Sequence, residues 1–271
     1  MINVFGGNGF IGSRYCELTP TIIKNDRDDY NVQYCEQILY FISTVDNYNV
    51  FTDPYIDIET NLTTLIKVLE SCKDKDIVFN FVSSWFVYGD VELPAKEDSY
   101  CNPRGFYSIT KRTAEQLLVS YCETFGIKYR ILRLANVLGE TDSKVSTKKN
   151  ALQYLISELK CDNELKLYDG GYLFRDYIYI DDVISAINII IEKGDINTIY
   201  NVGNGKPIYL IDILSKAKYL LNSTSIFTSV EQADFHKIVQ TKNMVLNVDK
   251  LKSLGYTEKY DINDIIKILI K

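Results

Sequence analysis

The sequence predicts an α/β fold: a doubly wound parallel sheet with a smaller C-terminal region interleaved with it in the chain. Three observations carry that expectation. Short apolar runs alternate with stretches of helical period, as parallel strands joined by helical crossovers require. The runs are apolar almost throughout, because strands covered by helices on both faces have no solvent side. A glycine-rich turn, VFGGNGFIG, joins the first run directly to the first helix.

Taken in order, INVF (2–5) is a strand, and a helix is expected from about Gly9. TIIK (21–24) and QILYFIS (37–43) read as strands, TNLTTLIKVLESC (60–72) as a helix and DIVFNFVSS (76–84) as a further strand. Residues 108–126 form a long amphipathic helix, followed by a strand over KYRILRLANV (128–137). From about residue 140 the rhythm changes to a polar loop (140–150), a helix (151–160), a short strand (165–169) and the run LFRDYIYIDDVISAINIIIEK, whose paired aspartates suit a helix N-terminus. TIYNVG (198–203) reads as a strand returning to the sheet. The expected division is therefore 1–139 with 176–203 returning to it, and 140–175 with 204–271 as the second region.

A chain of 271 residues with 46% hydrophobic content can bury a large core. Its net charge of -6, with no basic block, argues against nucleic acid as a partner. The start is strand-like, and no stretch is long and apolar enough to span a bilayer, so a cytoplasmic location and no membrane partner are expected. The six cysteines are widely spaced with no C-x-x-C pair, and neither zinc nor disulfides are expected. A single histidine, His236, leaves little room for histidine-based metal or nucleophile chemistry, and no metal site is expected. The nucleophile elbow of hydrolases and the phosphate loop of nucleotide triphosphatases are both missing.

Gly6, Gly9 and Gly12 stand at G-x-x-G-x-x-G spacing between strand and helix. Glycine there allows a tight turn, close approach of the backbone to a pyrophosphate, and close packing of helix on strand, while the helix N-terminus offers free N–H donors. A Rossmann-type dinucleotide site follows, with Gly6, Gly9, Phe10, Ile11 and Gly12 as cofactor-binding residues. Asp26, 20 positions after Gly6, is a candidate acceptor for the adenosine ribose hydroxyls, against the plainer reading of a solvated turn in KNDRDD. An acid there favours NAD, and the neighbouring Arg27 keeps NADP open.

GFYSITKRTAEQ (105–116) places Tyr107 four residues before Lys111, on one helical face. With 21 tyrosines and 23 lysines, about two such spacings arise by chance, so the neighbourhood decides the meaning. A tyrosine acting as a base near neutral pH must lose about 3 units from its ordinary value near 10, and an adjacent ammonium acts in that direction.

Together, GGNGFIG, FVSSWFVYG, YSITKRTAEQ, LRLANVLG with FRDYIYIDDV, and YNVGNGKPI resemble, in order and over nearly the whole chain, the extended short-chain dehydrogenase/reductase superfamily. Within it the resemblance is to the NAD-dependent epimerase/dehydratase family, which modifies nucleotide sugars. That resemblance implies Tyr107, Lys111 and Ser84 as catalytic residues, with Ser83 a rival for the serine role and Lys111 also holding the nicotinamide ribose. It implies substrate contacts from Ser84, Tyr107, Asn136 and Arg175, the last suited to a phosphate by its planar guanidinium. Arg175–Asp176 as a plain surface pair is the alternative. A nucleotide-diphosphate sugar, NAD (with NADP open) and a second copy of the chain are the implied partners.

Two departures narrow the reaction. After Ser84, where the family's 4,6-dehydratases carry Asp-Glu, stand Trp85 and Phe86, which cannot shuttle protons, and the segment lacks the cysteine of 3,5-epimerases. What remains is an epimerase or 4-ketoreductase needing only Tyr, Lys, Ser and cofactor, with a catalytically silent cofactor-binding protein as the alternative. Trp85 suits either the sugar pocket or the core. Between Asp26 and the 37–43 strand only about ten residues remain, too few for another crossover, so the sheet is expected to be trimmed. In ADFHKIVQTK (233–242) the arginine frequent in relatives is absent; His236 or Lys237 could replace it at a phosphate, with solvated surface as the plainer reading.

Overall fold

A computed structural model of the chain describes residues 1–33, 35–45, 47–142, 151–239 and 243–271. β1 (Ile2–Phe5) passes through the glycine turn into α1 (Phe10–Leu18), followed by β2 (Ile22–Lys24) and β3 (Gln37–Tyr40). α2 (Tyr55–Ile58) and α3 (Thr64–Glu70) are joined by a π-helical turn over Glu59–Thr63. β4 (Val78–Ser84), α4 (Phe106–Phe125) and β5 (Lys128–Leu134) complete the first half.

The second half holds β6 (Asn136–Leu138), α5 (Ala151–Lys160), β7 (Leu165–Tyr168), β8 (Phe174–Arg175), β9 (Tyr177–Tyr179), α6 (Ile180–Lys193) and β10 (Thr198–Val202). It ends with β11 (Ile208–Tyr209), α7 (Leu210–Leu221), β12 (Phe227–Val230), α8 (Asp234–Val239), α9 (Asp249–Ser253) and α10 (Ile262–Leu269).

Six strands form one parallel sheet in the order β10-β5-β4-β3-β1-β2. The two-residue repeat of a strand sends alternate side chains to opposite faces. Val4, Leu39, Leu132 and Leu134 join a core that includes Tyr15 of α1 and Val183, Ile187 and Ile190 of α6. Phe5, Ile38, Tyr40 and Ile131 join the other, with Leu65 and Val68 of α3 and Ala114 and Leu118 of α4. A third core lies among α5, α7, α10, β7 and β9 in the second half. β2 lies to one side of β1 and β3 to the other, so the winding reverses there and a crevice opens beyond the strands' carboxyl ends.

Two element boundaries differ most from the sequence expectation. The helix expected from residue 60 starts at Tyr55, because Asp53 accepts a hydrogen bond from the Tyr55 amide (3.0 Å) and caps the turn. The strand expected over 128–137 divides: β5 ends at Leu134, and β6 leaves the sheet to pair with β9. Among the described residues no helix or strand stands between Lys24 and Gln37, as the short spacing predicts. The expected polar loop lies mostly in 143–150, outside the described residues.

Candidate active site

The cleft at the carboxyl edge has a volume of about 1360 Å³ and runs from the glycine turn past Ser84 and Tyr107 to Tyr168 and Arg175. Its cofactor end is shaped by backbone. Gly6 adopts φ +80°, and a Cβ on Gly12 would lie 2.3 Å from the Gly6 carbonyl oxygen, so only glycine lets α1 begin this close to β1. The Gly9 amide donates to that same oxygen at 3.0 Å. No side chain caps α1 and no acid stands in its first turn, so its N-terminal amides suit an anionic diphosphate. Gly6, Gly9, Phe10, Ile11 and Gly12 all line the cleft. An ion pair from Arg14 to Asp181 (2.7 and 2.9 Å) ties α1 to α6.

Asp26 stands apart from this group. It lies two residues beyond β2, exposed, and does not line the cleft. Asn25, not Asp26, is turned inward, donating to the Asp29 and Asn31 carbonyls (3.3 and 2.9 Å) and fixing the turn.

Tyr107 is the second residue of α4 and only 8% exposed. Asn47 Oδ1 accepts a hydrogen bond from its amide at 3.1 Å, which seats the start of the helix. Gly105, at φ +79°, makes room for Asn47: a Cβ there would fall 2.5 Å from Asn47 Oδ1. Beneath this start lies a polar cluster in which Asn61, placed by the π-helical turn, donates to Thr110 Oγ1 (2.9 Å) and accepts from the Thr44 amide (2.9 Å). Sequence reasoning missed Asn47 and Asn61. For Asn47 the signal was its place soon after the carboxyl end of β3.

One turn along, Lys111 is 2% exposed; its Nζ donates to the Val82 carbonyl (2.8 Å) and sits 4.2 Å from the centre of the Phe81 ring. Burial depresses its pKa to about 7, opposed by the field of Glu115. Glu115 also separates the surroundings of the two serines, both of which line the cleft. Ser83 donates to Glu115 at 2.6 Å beneath α4, where Glu115 pairs with Arg133 at 2.7 Å. Ser84, one residue on, points to the other side; it is partly exposed, lines the cleft and accepts from the Phe86 amide at 3.3 Å. Trp85 and Phe86 follow, with ring centres 4.0 Å apart, and the Phe86 ring meets Tyr107 edge-on at 5.9 Å. Trp85 belongs to both environments, packed in the core and lining the cleft.

At the far end, Asn136 donates to the Asp176 carbonyl (3.0 Å) and lines the cleft. Arg175 and Asp176 are not a surface pair, since Arg175 is 9% and Asp176 1% exposed. Asp176 accepts from the amides of Asn204 and Gly205 (3.0 Å each) and Leu246 (3.3 Å), pinning two distant chain segments, although burial still raises its pKa to about 6. Arg175 instead faces the cleft with its guanidinium carbon 5.1 Å from the Trp85 ring centre, and burial lowers its pKa to about 10. His236 and Lys237 separate. Lys237 is exposed and paired with Glu231, whereas His236 lines the cleft, hydrogen-bonded to the Tyr48 hydroxyl, with its ring centre 4.9 Å from that of Tyr168. His236 is therefore not a solvated surface residue, and burial lowers its pKa.

A parallel sheet, an uncapped helix behind three glycines and a deep cleft at the winding reversal together define a Rossmann-type dinucleotide-binding protein. The model described as the NAD dependent epimerase/dehydratase family matches residues 24–203, and the chain belongs to that family of enzymes, with NAD as its cofactor and NADP open. The dTDP-D-glucose 4,6-dehydratase of Dictyostelium discoideum is 27% identical; the match takes in 79% of this chain and spans 61% of that protein. The ADP-L-glycero-D-manno-heptose-6-epimerase of Brachyspira hyodysenteriae is 25% identical over 96% of this chain and 93% of its own. Among solved structures, the UDP-glucuronic acid 4-epimerase of Bacillus cereus, in complex with UDP-glucuronic acid and NAD, superposes with a TM-score of 0.87 at 21% identity, covering 99% of this chain and 97% of that one. No helix among the described residues is long and apolar enough to cross a membrane.

Proposed function

We propose that this protein is a nucleotide-sugar epimerase or 4-ketoreductase in which Tyr107 is the acid/base, Lys111 and Ser84 assist it, and Arg175 holds the substrate diphosphate. The observation that carries the reading is the convergence of Tyr107, Lys111, Ser84 and Arg175 on the one cleft that begins at the glycine turn. Nucleotide-sugar enzymes among the relatives support the substrate class.

When bound, the cofactor supplies an acceptor for hydride and returns it. Tyr107 Oη takes the proton of a sugar hydroxyl as that carbon loses hydride, leaving a ketone. Return of hydride to the opposite face, with the proton given back by Tyr107, inverts the centre with no net redox change. Used once, in the reducing direction, the same groups reduce a keto-sugar. Ser84 Oγ orients the hydroxyl and then the ketone. Lys111 supplies positive charge near the phenol and a hydrogen bond for the nicotinamide ribose; its ammonium donates to the Val82 carbonyl at 2.8 Å. Asn136 contacts the substrate beside its diphosphate.

A 4,6-dehydratase is disfavoured on chemistry, even beside a relative of that name. The two side chains after Ser84 are a stacked tryptophan and phenylalanine, which neither donate nor accept the protons that elimination of water requires. Self-association is expected through the helices flanking the site, which expose Ile58, Ile66, Ile109 and Leu117. Light scattering checks it.

Incubation with UDP-sugars and with nucleotide 4-keto-sugars, each with NAD(H) or NADP(H), tests the reading. Epimerised sugar without net change in cofactor identifies the epimerase, and stoichiometric oxidation of reduced cofactor identifies the ketoreductase. No turnover with intact cofactor binding would instead support a silent cofactor-binding protein.

A further inference from the structure

The cleft's anion-binding end and its acid/base end are joined by an unbroken run of aromatic contacts that neither group needs for its own chemistry. Trp85 directly follows Ser84. Its indole lies under the Arg175 guanidinium, 5.1 Å from ring centre to guanidinium carbon, and it also meets the Phe86 ring at 4.0 Å, nearly parallel at 24°. Phe86 in turn meets the Tyr107 ring edge-on at 81°.

We infer that Trp85 is a positioning residue: its indole face holds the Arg175 guanidinium in the cleft, ready for the diphosphate of a nucleotide sugar. The inference rests on the reading of Arg175 given above.

Three features favour it. A long arginine side chain has many conformers, and a preformed contact lowers the entropy lost when a ligand is held. A guanidinium lying over the indole can still offer N–H donors to an anion, so the cation–π contact and anion binding do not compete. Trp85 is 2% exposed and fixed in the sheet-side core with Leu134, Ala135 and Met244, so it is a rigid platform for a side chain from the other half of the molecule.

Calorimetric titration with UDP tests this, using wild type, Trp85→Phe and Trp85→Leu, each also in an Arg175→Gln background. A buried cation–π contact corresponds to about a five- to thirtyfold change in affinity. Trp85→Leu is expected to weaken UDP binding by that factor and Trp85→Phe by less, with NAD affinity held within about twofold as the control for folding. In the Arg175→Gln background both Trp85 substitutions are expected to be silent, because a positioning residue has nothing left to position. Equal losses in the two backgrounds, or full UDP affinity in Trp85→Leu, overturn the inference.

Trp85 is the only tryptophan in the chain, which gives a readout that needs no ligand. Arg175→Gln should shift the emission of the free protein, and an unchanged spectrum overturns the stacking whatever the ligand. A shifted spectrum with no wild-type affinity for UDP or any other nucleoside diphosphate would overturn the proposed substrate class and with it the diphosphate part of the inference.

Discussion

The two ends of the cleft are built by different means. At the cofactor end the shape comes from backbone, with glycines that admit no Cβ and helix amides left uncapped, all within a dozen consecutive residues. At the substrate end it comes from side chains collected from distant segments: Arg175 on Trp85, His236 on Tyr48 and Tyr168, and Asp176 holding residues 204, 205 and 246. A diphosphate is common to every NAD, so a fixed backbone cradle serves it. Sugars differ between relatives, and side chains on short strand pairs can be exchanged without disturbing the sheet.

This contrast should separate in experiment. The largest effect is expected at the junction between the ends: Tyr107→Phe should lower turnover by about a hundred- to ten-thousandfold with NAD and UDP affinities unchanged, read by steady-state kinetics beside calorimetry. An active Tyr107→Phe protein would remove the acid/base assignment. Next, Arg175→Gln should weaken UDP by about ten- to a hundredfold and leave NAD alone, since a charge-assisted hydrogen bond is lost at one end only.

Gly12→Ala is its mirror image. Overpacking against Gly6 costs about 1–3 kcal/mol, so NAD affinity should fall about tenfold while UDP binding persists. Equal loss of both ligands would show that the two ends are not separable.

A smaller effect is expected from Lys111. Its folded-state pKa is depressed to about 7 from 10.5, so between those values the unfolded chain holds a proton that the folded chain lacks. Stability of the cofactor-free protein should therefore rise with pH across that window. Thermal melts from about pH 7 to about pH 9.5 should show the rise in wild type and a flatter profile in Lys111→Met. The smallest effect belongs to Asp26→Ala. Exposed and outside the cleft, Asp26 should change NAD affinity by less than about twofold, and a larger loss would bring it back to the ribose.

Much of the sheet and its glycine turn could be read from sequence because their determinants are local. An apolar run is a buried strand wherever it pairs, and Gly6, Gly9 and Gly12 act within two turns of chain. Helical spacing put Tyr107 and Lys111 on one face, and the segment resemblance singled them out together with Ser84, Asn136 and Arg175. The separation of Ser83 from Ser84 in their surroundings was not legible. It depends on Glu115, 32 residues from Ser83, engaging one hydroxyl and leaving the other to the cleft. The setting of Asp26 was not legible for a related reason: distance along the chain points to an acid, while the hydrogen bonds of Asn25 set which side chain turns inward.

By itself, then, the sequence determined the parallel sheet, the cofactor turn and the pairing of a phenol with a lysine one helical turn away, because each is written in neighbouring residues. Tertiary structure alone decided that Trp85 lies beneath Arg175, that His236 faces inward and that the strand after Leu134 leaves the sheet. Those outcomes depend on burial and partners supplied by segments far apart in the chain, and local periodicity carries no information about which distant side chain will occupy a given space.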